Sequence, residues 1–202
     1  RKESSAASDV YKRQGLYSSD GTLTFGGGLN QTSGELDIDN STLGLNADLN
    51  KTGGTLQTSG TSITVLSNLN ITSNSAISAK TVELGANTLT LGSASSDLTL
   101  SDNLSLTEAN VSLQTGDADL TVEGDVKLAK GELGSSSGTL LFRKGGTQTG
   151  SFELDLGSSI LSLGAGYTKS GGNFDGSSAT LNLLDNITTV SYTHLTLPTT
   201  PY

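Results

Sequence analysis

Two pairs of aspartates carry most of the chemistry that the residue types of this chain offer. Asp37/Asp39 and Asp117/Asp119 are each spaced i, i+2, and on an extended strand that spacing sends both carboxylates to one face. Two carboxylates held together are the equipment of general acid/base cleavage of a glycosidic bond, or of a calcium site. A sugar-cleaving cleft also needs basic and aromatic neighbours, and those are scarce: one arginine away from the termini, Arg143, and two tyrosines, Tyr17 and Tyr167. The ordinary reading of such aspartates, as solvated strand faces and turn caps, therefore outweighs the catalytic one. No catalytic, cofactor-binding or metal-binding residue is assigned.

Other motifs are partial. Asp37-Ile38-Asp39-Asn40-Ser41 begins like a calcium loop, but Thr42 stands where the turn needs glycine. Gly171-Gly172-Asn173-Phe174-Asp175-Gly176 is a single incomplete echo of a calcium-binding nonapeptide, without tandem copies. Sequons at Asn30, Asn40, Asn50, Asn70, Asn103, Asn110 and Asn186 are what a chain this rich in Asn, Ser and Thr produces by composition. The threonine pairs Thr22/Thr24 and Thr88/Thr90 raise an ice-binding face, yet such pairs do not recur along the sequence at a fixed period.

Composition narrows the field further. The 202 residues include 26 Gly, 2 Pro, one His and neither Cys, Met nor Trp, which removes thiol chemistry, disulfides and Cys/His zinc sites. Eleven basic residues against 20 acidic ones give a formal charge of −9, a field that repels nucleic acid and anionic lipid surfaces. No apolar run has the length of a membrane-spanning helix.

The elements that position these residues come from a repeat. Ser96–Asn110 recurs as Ala118–Glu132, placing Leu98, Leu100, Leu104 and Leu106 over Leu120, Val122, Val126 and Leu128. Gly34–Thr52 recurs as Gly54–Thr72, with Leu36, Leu43, Leu45 and Leu49 over Leu56, Ile63, Val65 and Leu69. Within each period the apolar residues alternate in short pairs bounded by Gly, Asn, Asp and Ser, which predicts half-buried strands too closely spaced for any helix. Three short strands in each period of 20–22 residues predict an all-β fold, a right-handed parallel β-helix or β-solenoid with a stacked aliphatic core.

At the two ends, Ser4–Gln14 (SSAASDVYKRQ) resembles the translation of a sequencing-library adapter, and Val190–Thr200 (VSYTHLTLPTT) resembles the same oligonucleotide read in reverse complement. On that resemblance, residues 1–14 and 190–202 are expected to be adapter-derived. Residues 15–189 are then expected to form one β-solenoid piece of a longer protein, more regular over 34–142 and looser over 143–189. His194, Pro198 and Pro201 fall outside that piece.

The Gly-Glu-Leu and Gly-Thr-Leu starts at Gly34, Gly54 and Gly138, the coil period and the absence of cysteine resemble filamentous-haemagglutinin-like adhesins and autotransporter passengers of bacterial surfaces. The resemblance implies a structural or adhesive stalk, non-catalytic, at the cell surface or outside the cell, without cofactor. Its implied partners are surface glycans or proteins of a host or neighbouring cell, with end-to-end self-association through exposed strand edges. The alternatives are a carbohydrate-active β-helix enzyme, whose family uses clustered aspartates, and a phage fibre segment.

Overall fold

The computed structural model describes residues 16–17, 21–38, 40–176, 178–185 and 188–189; the adapter-like ends therefore lie outside the described residues. The described chain is strand and turn without helix, and each coil contributes three short strands. The first three coils hold β1 (Leu16–Tyr17), β2 (Thr22–Phe25) and β3 (Leu29–Gln31); β4 (Glu35–Asp37), β5 (Thr42–Leu45) and β6 (Leu49–Lys51); β7 (Thr55–Gln57), β8 (Ser62–Val65) and β9 (Leu69–Ser73). The next three hold β10 (Ile77–Ala79), β11 (Thr81–Glu83) and β12 (Thr88–Leu91); β13 (Leu98–Leu100), β14 (Leu104–Leu106) and β15 (Ser112–Gly116); β16 (Leu120–Val122), β17 (Val126–Leu128) and β18 (Glu132–Ser135). The last are β19 (Thr139–Phe142), β20 (Gly146–Gln148) and β21 (Glu153–Asp155); β22 (Ile160–Leu163), β23 (Thr168–Lys169) and β24 (Asn173–Asp175); then β25 (Thr180–Leu183) and β26 (Thr188–Thr189).

Strands three apart in the chain pair in parallel, except β7 with β10 and β11 with β14, so the chain winds as a β-solenoid of about eight turns with three faces. The third face is one unbroken eight-stranded sheet from β3 to β24. The first face consists of β1-β4-β7 and, separately, β10-β13-β16-β19-β22-β25; the second consists of β2-β5-β8-β11 and, separately, β14-β17-β20-β23-β26.

Alternation produces this arrangement residue by residue. β14 and β17 each bury their first and third residues and expose the middle one, and burying a leucine or valine in this way stabilises by about 1.5–3 kcal/mol. The sequence registers Leu36 on Leu56, Leu43 on Ile63, Leu45 on Val65, Leu98 on Leu120 and Leu104 on Val126 are the observed ones. Leu49 departs from expectation: it stacks on Ile71, while Leu69 stacks on Leu89. β9 is five residues long, and a slip of two keeps every side chain on its own side of the pleat, so the change costs no burial.

The core is also less purely aliphatic than the repeat suggests. Phe25, Phe142, Phe152 and Tyr167 are buried, and so are Gln31, Lys51, Ser73, Ser96, Ser135, Gln148 and Ser159. Phe152 is flanked by glycines one coil away on either side: Gly131, whose carbonyl accepts the Glu153 N–H, and Gly172, where a Cβ would meet the Phe152 carbonyl. Both have left-handed backbones (φ 81° and 72°). A Cβ on Gly131 would lie 2.1 Å from the Val111 carbonyl oxygen, so the backbone there can close in only without a side chain.

The corner between the first and second faces varies in length. From one inward position to the next it advances five positions from Ile38 to Leu43 and from Thr58 to Ile63, three from Ala79 to Val82, and four from Leu100 to Leu104 and from Val122 to Val126. Turns are clamped from coil to coil by side chains, at this corner and at others. Asp48 Oδ1 accepts the Asn70 N–H at 2.7 Å, Asn68 Oδ1 the Thr88 N–H at 2.8 Å, and Asn103 Oδ1 the Asp125 N–H at 2.7 Å.

Candidate functional site

Asp117 and Asp119 lie in the turn between β15 and β16, not on a strand as their spacing suggested. Both point outward on either side of buried Ala118, because the chain must bury alternate residues to enter β16. Each carboxylate serves the following coil: Asp117 Oδ1 accepts the Ser137 hydroxyl at 2.7 Å, and Asp119 Oδ1 accepts the Thr139 N–H at 2.6 Å. The Asp119 N–H in turn donates to Asp97 Oδ1 at 2.9 Å. The pair thus forms part of the inter-coil clamping. Of the other pair, Asp37 ends β4 and is half-buried, while Asp39 lies outside the described residues.

The basic and aromatic candidates are dispersed. Arg143 Nε lies 2.7 Å from Glu123 Oε1 in an exposed ion pair, an arrangement that contributes little to stability. Tyr167 is in the core, and Tyr17 closes β1. Of the partial calcium motifs, the first runs from the end of β4 at Asp37 into the turn before β5, which opens at Thr42, and the second forms strand over Asn173–Asp175, β24, with Phe174 packed on the core. Among the described residues no group of three or more His, Cys, Asp or Glu is placed to hold a metal ion. The sequon asparagines Asn30, Asn40, Asn50, Asn70, Asn103 and Asn110 are all exposed, with Asn30 in register with Asn50; Asn186 lies outside the described residues.

The Thr-x-Thr pairs do not recur from coil to coil, as the sequence indicated, but a single column of hydroxyls does. Thr22, Thr42, Ser62 and Thr81 stack outward on the second face. Serine in the third place and a coil of 19 residues hid that recurrence. The neighbouring column runs Thr24, Gly44, Thr64, Glu83, so a double threonine rank is not completed. The Thr81 hydroxyl donates to Ser62 Oγ at 3.0 Å.

Coil register brings together two carboxylates that sequence spacing concealed. Glu132 and Glu153, 21 positions apart, are in register on β18 and β21, so their backbones lie one strand spacing apart, about 4.8 Å. Glu132 Oε1 accepts the Ser112 hydroxyl at 2.7 Å and Gln114 Nε2 at 2.8 Å. Both glutamates border an open hollow of about 500 Å³ at the corner between the second and third faces, which is also lined by Asn110, Lys130 and Ser151. Asn110 holds a left-handed backbone there (φ 66°). Hydroxyl, amide, ammonium and carboxylate groups without an aromatic platform can hydrogen-bond a hydroxylated chain lying across the coils. The signal in the sequence was the column Ser112, Glu132, Glu153, Asn173, visible only after aligning coils. Searches against family models, curated proteins and solved structures gave no match to this chain.

Proposed function

We propose that the chain is a shaft segment of a secreted bacterial surface protein, structural or adhesive, working outside the cell without turnover chemistry of its own. The observation that carries this reading is the unbroken third face, eight parallel strands from β3 to β24. Stacking at about 4.8 Å per coil makes a rod about 35 Å long from that sheet alone. Each coil buries its inward side chains against its neighbours, so adding coils lengthens the rod without a new core, and this suits projection from a surface. The excess of acidic residues keeps such rods apart in solution. Its ligands, on this reading, are glycans or proteins of facing cells.

A carbohydrate-active enzyme is the second reading, and the specific observation favouring it is the Glu132/Glu153 pair beside the polar hollow. Incubation with a panel of polysaccharides, calcium present, separates the two by following new reducing ends or unsaturated products. The shaft reading expects no release above background. Release that is lost in Glu132→Gln and Glu153→Gln, or in Asp117→Asn and Asp119→Asn, overturns it.

A further inference from the structure

We infer that the solenoid is jointed: the coils on either side of Lys80 are two blocks that flex against each other about the third face. The two shorter sheets both end here. β10 pairs forward with β13 but not back with β7, and β11 pairs back with β8 but not forward with β14. A plane without ladder pairing therefore enters below β10, crosses the coil at the Ala79–Lys80–Thr81 corner and leaves above β11. The third face runs through the same level without interruption, from β6 through β9 and β12 to β15.

Corner length explains the fault. The corner advances three positions from Ala79 to Val82, against five in the coil before and four in the coil after, so it cannot lie parallel to either neighbour. A polar hollow of about 370 Å³ opens at that place, lined by Asn40, Ser59, Gly60, Lys80, Ser101 and Asp102. What bridges the fault is sparse: the Thr58 hydroxyl donates to the Ser78 carbonyl, and at the crossing point Lys80 N–H donates to Thr61 O at 2.8 Å and Asp102 N–H to Lys80 O at 3.0 Å. Two weakly bonded faces opposite one continuous sheet make a hinge whose axis lies in that sheet, because opening the first two faces breaks the fewest hydrogen bonds.

This inference does not depend on the shaft role. Hydrogen exchange on the full chain should proceed several-fold faster in Thr55–Thr58 and Val82–Leu84 than in Leu120–Val122 and Val126–Leu128. Because the chain has no cysteine, spin labels can be placed at will. A Thr24→Cys/Ser105→Cys pair spans the fault on the second face, and an Asn50→Cys/Glu132→Cys pair spans it on the third. All four sites are exposed. The expected result is a broader distance distribution for the first pair than for the second. Equal widths overturn the joint, as does exchange at the two fault segments no faster than at the two reference segments.

Discussion

The hydroxyl of Tyr167 donates to Oε1 of Gln148 across 3.2 Å, with both residues shut inside the solenoid. Gln148 passes the connection on, its Nε2 donating to the Asn173 carbonyl at 2.7 Å. Burial pushes the Tyr167 phenol well above its ordinary range, whereas the unfolded chain releases that proton at about pH 10. The folded state favours the neutral phenol, so its contribution is full below about pH 10 and is lost as pH rises beyond that point. Urea midpoints taken at roughly pH 8 and pH 11 should fall more for the wild-type chain than for Tyr167→Phe. At the lower pH Tyr167→Phe should itself cost about 1 kcal/mol or more, since Gln148 Oε1 loses its donor.

Gly131→Ala should destabilise by about 3 kcal/mol or more, because it combines a left-handed backbone with a Cβ driven onto the Val111 carbonyl. Gly26→Ala is the control: it is exposed and nothing lies within 4 Å of its Cβ position, so it should stay within about 0.5 kcal/mol of the parent. Chemical denaturation of the two variants makes the comparison.

Leu104→Asp places a carboxylate at a position fully closed to solvent, stacked on Val126, and should cost several kcal/mol or abolish folding. Ser105→Asp, one residue on and exposed, should cost under about 1 kcal/mol. Thermal midpoints followed by far-UV circular dichroism decide between them, and similar losses in both would contradict the alternation.

Asp119→Ala removes the acceptor of the Thr139 N–H and should cost about 1 kcal/mol. Asp119→Asn keeps a carbonyl oxygen in the same place and should recover most of that loss. The corresponding urea midpoints test whether this aspartate acts as a clamp.

Alternation of Leu, Ile and Val made the three-strand coil and most of its register legible, since a strand that buries Leu104 and Leu106 must turn Ser105 outward. What stayed hidden depends on neighbours one coil away. Lys51 reads as a solvent residue, yet it is 5% exposed, with Nζ donating to Asn74 Oδ1 at 2.9 Å and Ser75 Oγ at 3.0 Å. Only those acceptors in the following coil make its burial tolerable. The Leu49–Ile71 slip was invisible for a similar reason, because two registers differing by two residues satisfy the same pattern. Spacing set Asp117 and Asp119 on one strand face; they point outward from a turn instead, and their partners, Ser137 and Thr139, follow from coil stacking and not from local spacing.

The contacts between coils join residues at nearly constant separation: the clamps Asp48 to Asn70 and Asp97 to Asp119, and the ladder pair Thr168 and Thr188, are each 20 or 22 positions apart. Every bond between coils closes a loop of about the same modest size, so none of these pairings has to wait for a remote part of the chain. Folding then resembles crystal growth at a step: the first pair of coils is the slow event, and each later coil docks on a template already present. A front that halts partway leaves native structure behind it and a templating edge ahead. A chain stopped at such a front would be a shorter rod with a templating end, not a loosely collapsed globule.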